Sequence, residues 1–147
     1  MDRLRNPHVL TFTHGEPYSF MLGAGSPEPA IYVHFAAIDI AGRLLGHQRL
    51  GCLVDSGADC TFLPASLLRV FNLSADDLPK KDAGNAFGGE KIKLPAAHLI
   101  AHIFGKGIEV MALFSENCPM PLLGRMGVFD SLNIAFVRNE SVCFAVA

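Results

Sequence analysis

The chain has 147 residues, of which 50% are hydrophobic and 18% charged, and its formal net charge is −2. That length suits one domain able to bury a core without disulfide or metal staples, and the apolar fraction excludes a disordered chain. The near-neutral balance excludes a general nucleic-acid binder, which would carry a marked basic excess. The polar start, Met1 to Pro7, leads into no long apolar stretch. With neither a signal peptide nor a run of about 18 apolar residues, the expected setting is cytoplasmic, with no membrane partner. Four cysteines (Cys52, Cys60, Cys118, Cys143) lie at long, irregular spacings without a C-x-x-C pair. Reduced core or near-core thiols are expected from them, and no metal site.

Taken in order, Val9 to Thr13 alternates apolar and polar residues as a short strand does, Gly15-Glu16-Pro17 reads as a turn, and Tyr18 to Leu22 reads as the return strand. Residues 1–30 therefore form an N-terminal arm with a β-hairpin ahead of the main domain, residues 31–147. Ile31 to Ile40 and Leu44 to Val54 read as strands joined by the turn Ala41-Gly42-Arg43. Pro64 opens a short helix over Ala65 to Phe71, in which Leu67, Leu68 and Phe71 share a face. Lys80 to Lys93 holds Gly84, Gly88 and Gly89 between strand-like ends and reads as a hairpin. Strands are expected at His98 to Phe104 and Glu109 to Phe114, then the short apolar Pro121-Leu122-Leu123 and a helical turn or two in Gly124 to Leu132. Asn133 to Val137 and Val142 to Val146 close the chain as strands. The fold class is mostly β with one or two short helices.

The chemistry concentrates in Cys52-Leu53-Val54-Asp55-Ser56-Gly57-Ala58-Asp59-Cys60-Thr61. Three apolar residues carry a strand up to a carboxylate, and Ser-Gly turns the chain at once. Gly57 tolerates a sharp turn and close backbone approach. A carboxylate at such a junction is held rigidly, as a catalytic group must be. The Ser56 hydroxyl both donates and accepts, which suits bracing one loop against another. Asp-Ser-Gly alone is also a common surface turn.

The flanking residues separate the two readings. Val54 to Thr61 resembles the active-site motif of retropepsins, the aspartic peptidases of retroviruses and their bacterial relatives: an apolar residue, Asp, Thr or Ser, Gly, Ala, and often a second Asp. Leu122-Leu123-Gly124-Arg125 resembles the family's second signature, two apolar residues and a Gly before a short helix. The resemblance runs from about Ile31 to Phe136. It implies a single-lobed, closed acid-protease β-barrel, Asp55 as the catalytic carboxylate, and an active-site loop of Ser56, Gly57, Ala58 and Asp59. It also implies that Arg125, after Gly124, pairs with Asp59 to support that loop. Phe87, Gly88 and Gly89 then belong to the flap, a hairpin closing over a bound peptide, although a plain surface hairpin would use the same residues.

Two carboxyls close together cannot both ionise readily, so an aspartic peptidase holds one as base and one as acid. This chain supplies one such loop; Asp130-Ser131-Leu132 lacks the Gly and reads as structural. The resemblance therefore implies a homodimer acting on a peptide or protein substrate, with no cofactor. Ser141 to Ala147 reads either as a strand of an intersubunit sheet or as a core strand. The rival functional reading is a retropepsin fold used without hydrolysis, as a peptide-binding or dimerisation module. A third is a small β-barrel scaffold whose Asp-Ser-Gly turn is accidental. His98 and His102 lie four apart without the glutamate of a helical zinc motif and read as strand-face histidines, while His34 and His47 show no cluster in sequence.

Overall fold

Alternation of side chains decides most of the architecture. In the computed structural model, which describes residues 12–20, 25–83 and 92–146, Ile31, Val33 and Phe35 of β2 (Ala30–Ile38) point into the core while Tyr32 and His34 face out. Asp39 then turns the chain: its Oδ1 accepts from the N–H groups of Ala41 (2.9 Å) and Arg43 (2.8 Å), and Gly42 takes a φ of 82°. β3 (Leu44–Val54) returns antiparallel, with registers from Ile38 opposite Leu44 to Ala30 opposite Leu53.

After the loop at residues 55–60 come β4 (Thr61–Pro64), the one-turn helix α1 (Leu67–Val70) and β5 (Lys80–Asp82). The expected helix over residues 65–71 is shorter because Pro64 still belongs to a strand, paired with Ser115. Its apolar face holds: Leu68 and Phe71 are buried. β6 (Lys93–Ile103) and β7 (Lys106–Ser115) form a long antiparallel pair. β8 (Leu122–Leu123) and α2 (Val128–Ser131) follow, then β9 (Leu132–Val137) and β10 (Ser141–Val146).

The sheet order is β2-β3-β8-β4-β7-β6-β5, and β2 also pairs with β6. Six strands thus close on themselves, from β2 round to β6 and back, leaving β5 outside the ring. Inside lie Val33, Phe35, Leu63, Leu99, Val110 and Phe114, all fully buried. The fold class is as the sequence implies: mostly strands, closed, with two short α-helices among the described residues.

One expectation changes. Gly15-Glu16-Pro17 is not a turn but part of a strand, β1 (His14–Pro17), which pairs with β10 across the molecule. A short strand with Glu and Pro suits a sheet edge, where missing or unpaired backbone donors face solvent. Val9 to Thr11 and the end of the expected return strand, Met21 and Leu22, lie outside the described residues; Ser19, within them, pairs with Glu28. The C-terminal segment, read either as a core strand or as part of an intersubunit sheet, forms a strand paired on both sides within the chain. β10 is the central strand of the sheet β1-β10-β9, with Val142 and Phe144 buried and both edges paired within the chain.

Candidate active site

The loop that follows β3 is shaped by a wedge. β8 runs parallel to β3 and lies between β3 and β4, which are neighbours in sequence but not in the sheet. The Leu53 N–H donates to Pro121 O (2.9 Å) and the Asp55 N–H to Leu123 O (3.0 Å), so the backbone is pinned on both sides of Val54. Asp55 is the first residue beyond the strand and is half-buried. The Gly57 N–H donates to Asp55 Oδ1 at 2.8 Å, and the Ala58 N–H approaches Asp55 O at 3.3 Å. One carboxylate oxygen is thereby oriented by backbone, a charge-assisted contact that fixes the rotation of the carboxyl group while it is ionised.

A second layer holds the rest of the loop. The N–H groups of Arg125 and Met126 donate to the carbonyls of Ala58 and Asp59, both at 2.9 Å. Arg125 Nη2 donates to Asp59 Oδ1, so the two residues that the resemblance pairs are in contact. Gly124 sits directly against the Cys60 carbonyl, and its N–H approaches the buried Thr61 Oγ1 at 3.3 Å. Asp130 lies apart from Asp55 in this arrangement; its Oδ2 accepts from the Gly127 N–H (3.2 Å) at the start of α2.

Asp55 and Ser56 open onto a cleft of about 680 Å³, whose other walls include Tyr18, Glu28, Pro29 and Phe136. None of these four was singled out by sequence. They come from the segment before β2 and from β9, which the fold brings to the end of β3 (the Val54 N–H donates to Pro29 O at 2.7 Å). The ends of the hairpin expected over Lys80 to Lys93 are the antiparallel pair β5 and β6, extended by the Ala83 N–H donating to Ile92 O at 2.8 Å. Residues 84–91, including the flap candidates Phe87, Gly88 and Gly89, lie outside the described residues. Among the described residues no group of three His, Cys, Asp or Glu is arranged to hold a metal ion, and no helix is long and apolar enough to cross a membrane.

No family model matches the chain, and no curated protein matches it in sequence. Solved structures do. A retropepsin-like aspartic protease from Rickettsia conorii superposes with a TM-score of 0.55 at 15% identity, over 80% of this chain and 95% of the other. The EIAV protease in complex with the inhibitor HBY-793 matches with a TM-score of 0.48 at 18% identity, over 76% of this chain and 92% of the other.

Proposed function

Given that the chain has the retropepsin-like fold, we propose that it is an aspartic-type endopeptidase whose dyad is formed by Asp55 from two copies. The observation that carries this reading is the placement of Asp55: at the end of a core strand, tethered by β8, oriented by the Gly57 N–H, and open to a cleft. The activity, the dimer and the flap are inferences resting on that geometry and on the motif resemblance.

In the proposed mechanism one Asp55 is ionised and takes a proton from a water. The other, protonated, donates to the carbonyl oxygen of the scissile peptide as the water oxygen bonds to the carbonyl carbon. On collapse the C–N bond breaks as the Asp55 that took the water's proton passes it to the leaving nitrogen, while the other Asp55 recovers a proton from a hydroxyl of the adduct, restoring the dyad. Ser56 of each copy braces the pair across the two-fold axis. The substrate is an extended peptide, covered by a flap to which the motif resemblance assigns Phe87, Gly88 and Gly89, with water excluded from the reaction. Four cysteines without a disulfide suit a reducing, cytoplasmic setting for this reading.

A second copy also has somewhere to dock. In the order β1-β10-β9 the outer edge of β9 has no strand partner among the described residues. Its sequence, Leu-Asn-Ile-Ala-Phe-Val, carries none of the charges or prolines that usually protect an edge, and Phe136 (41%) and Val137 (40%) are exposed. Phe136 lines the Asp55 cleft, so antiparallel pairing of two β9 edges on a two-fold axis brings the two clefts together.

The test is a peptide-library digest read by mass spectrometry from acidic to neutral pH, comparing the parent with Asp55→Asn. Cleavage by the parent and none by the variant is the expected result, because the amide cannot serve as base. Cleavage by both excludes Asp55 as the catalytic group. Silence from both, with a folded dimer, favours the peptide-binding or dimerisation module.

A further inference from the structure

The register of three strands gathers basic side chains that are far apart in sequence. On the outer face of the ring, His34 of β2 stands opposite Arg49 of β3 on one side and His102 of β6 on the other. His47 lies next along β3, and its Nδ1 is 2.8 Å from His34 Nε2. The His102 ring is 6.1 Å from the His34 ring. Direct neighbours across a sheet share a face, so these side chains rise from one patch.

Of these, His34, Arg49 and His102 line a cleft of about 450 Å³, separate from the opening at Asp55, with Glu16 and Phe104 among its walls. Its parts are braced. The Arg49 guanidinium lies 4.1 Å from the centre of the Tyr32 ring. Phe104 stacks on His14 (4.3 Å between centres) and packs against Phe144 (5.0 Å). The bond to His47 occupies Nε2 of His34, which leaves Nδ1 as that ring's nitrogen for a ligand. Among the described residues no carboxylate forms an ion pair with Arg49, whose polar fork is left for a planar oxyanion.

We propose that this cleft is a second ligand site, taking a small molecule with one carboxylate or phosphate group attached to a flat apolar body. The anionic group meets Arg49, with His34 and His102 flanking it, and the body lies between Tyr32 and Phe104. Glu16, the carboxylate on the same cleft, disfavours ligands carrying several negative charges. The proposal concerns binding alone and stands whether or not the chain is a peptidase.

The experiment follows the histidine ring and amide resonances of the full-length protein during titration with phenyl phosphate and, separately, benzoate. Saturable shifts at His34, His102 and Tyr32 with either probe are expected, and the tighter probe identifies the preferred oxyanion. Arg49→Gln should weaken that binding by about tenfold or more, the loss of a charge-assisted contact, while leaving the Asp55 loop resonances in place. If Arg49→Gln disturbs the sheet, His102→Gln serves as the second variant, with weakened binding expected. No saturable shift with either probe, or unchanged affinity in a folded Arg49→Gln or His102→Gln protein, overturns the site.

Discussion

A side chain at Gly124 would overlap the carbonyl oxygen of Cys60, and would crowd Ala58 O at 3.0 Å. Backbone cannot yield as a flexible side chain does, so only glycine lets β8 approach the 55–60 loop this closely. Gly124→Ala should therefore lower stability by about 3 kcal/mol or more, measured by denaturant unfolding. Gly25 has open space around its Cβ direction, and Gly25→Ala should stay within about 0.5 kcal/mol of the parent.

The neighbouring ion pair should matter less. Arg125 and Asp59 are 53% and 75% exposed, so solvent screens their attraction. The backbone bonds from Arg125 and Met126 to the loop survive truncation of the side chain. Arg125→Ala should cost only about 0.2–1 kcal/mol. On the peptidase reading, a larger effect on kcat than on melting temperature is expected, and equal activity would remove Arg125 from the supporting set.

On the proposed dimer, a charge placed on the outer edge of β9 should separate the copies. Val137→Lys is expected to raise the dimer dissociation constant by about tenfold or more, read by sedimentation velocity, because an edge lysine must lose its hydration when strands pair. Circular dichroism should be unchanged, and peptidase activity should fall on dilution at correspondingly higher protein concentration. A monomer that keeps full activity would exclude a dyad shared between copies.

Burial, with a smaller contribution from nearby Cys118, pushes the Cys52 thiol up to about 12 from 9.0. In the unfolded chain the thiol ionises near its ordinary value, while the folded chain keeps its proton. Above about pH 9 the folded state therefore binds more protons than the unfolded one, and stability falls with rising pH by at most about 1.4 kcal/mol per unit until about pH 12. Cys52→Ala should flatten that part of the stability profile. Alkylation of the folded protein near pH 8 should leave Cys52 unmodified.

Several elements were legible because their signals are local. β3 spans the expected Leu44 to Val54, whose apolar end leads into a turn. The contact between Arg125 and Asp59 was legible through motif resemblance, since spacing alone does not pair residues 66 apart. β1 was misread because Gly and Pro mark turns locally, whereas its pairing with β10 is visible only once the chain has folded. The cleft residues Tyr18, Glu28 and Phe136, and the grouping of His34 with His47 and His102, depend on cross-strand register in the same way. Periodicity reports which face a side chain takes, and it does not report the neighbour it meets there.

The wedge of β8 between β3 and β4 also sets an order of events during folding. The segment that completes the space beside β3 comes from residues 122–123, after β4, β5, β6 and β7. Until it arrives, Asp55 has no carbonyl partner at Leu123, and the 55–60 loop lacks its support from Arg125 and Met126. Contacts of such long sequence separation form late. Amide protection at Asp55 should then appear after that of the β6–β7 pair, whose partners are close in the chain, so one wall of the barrel precedes the loop.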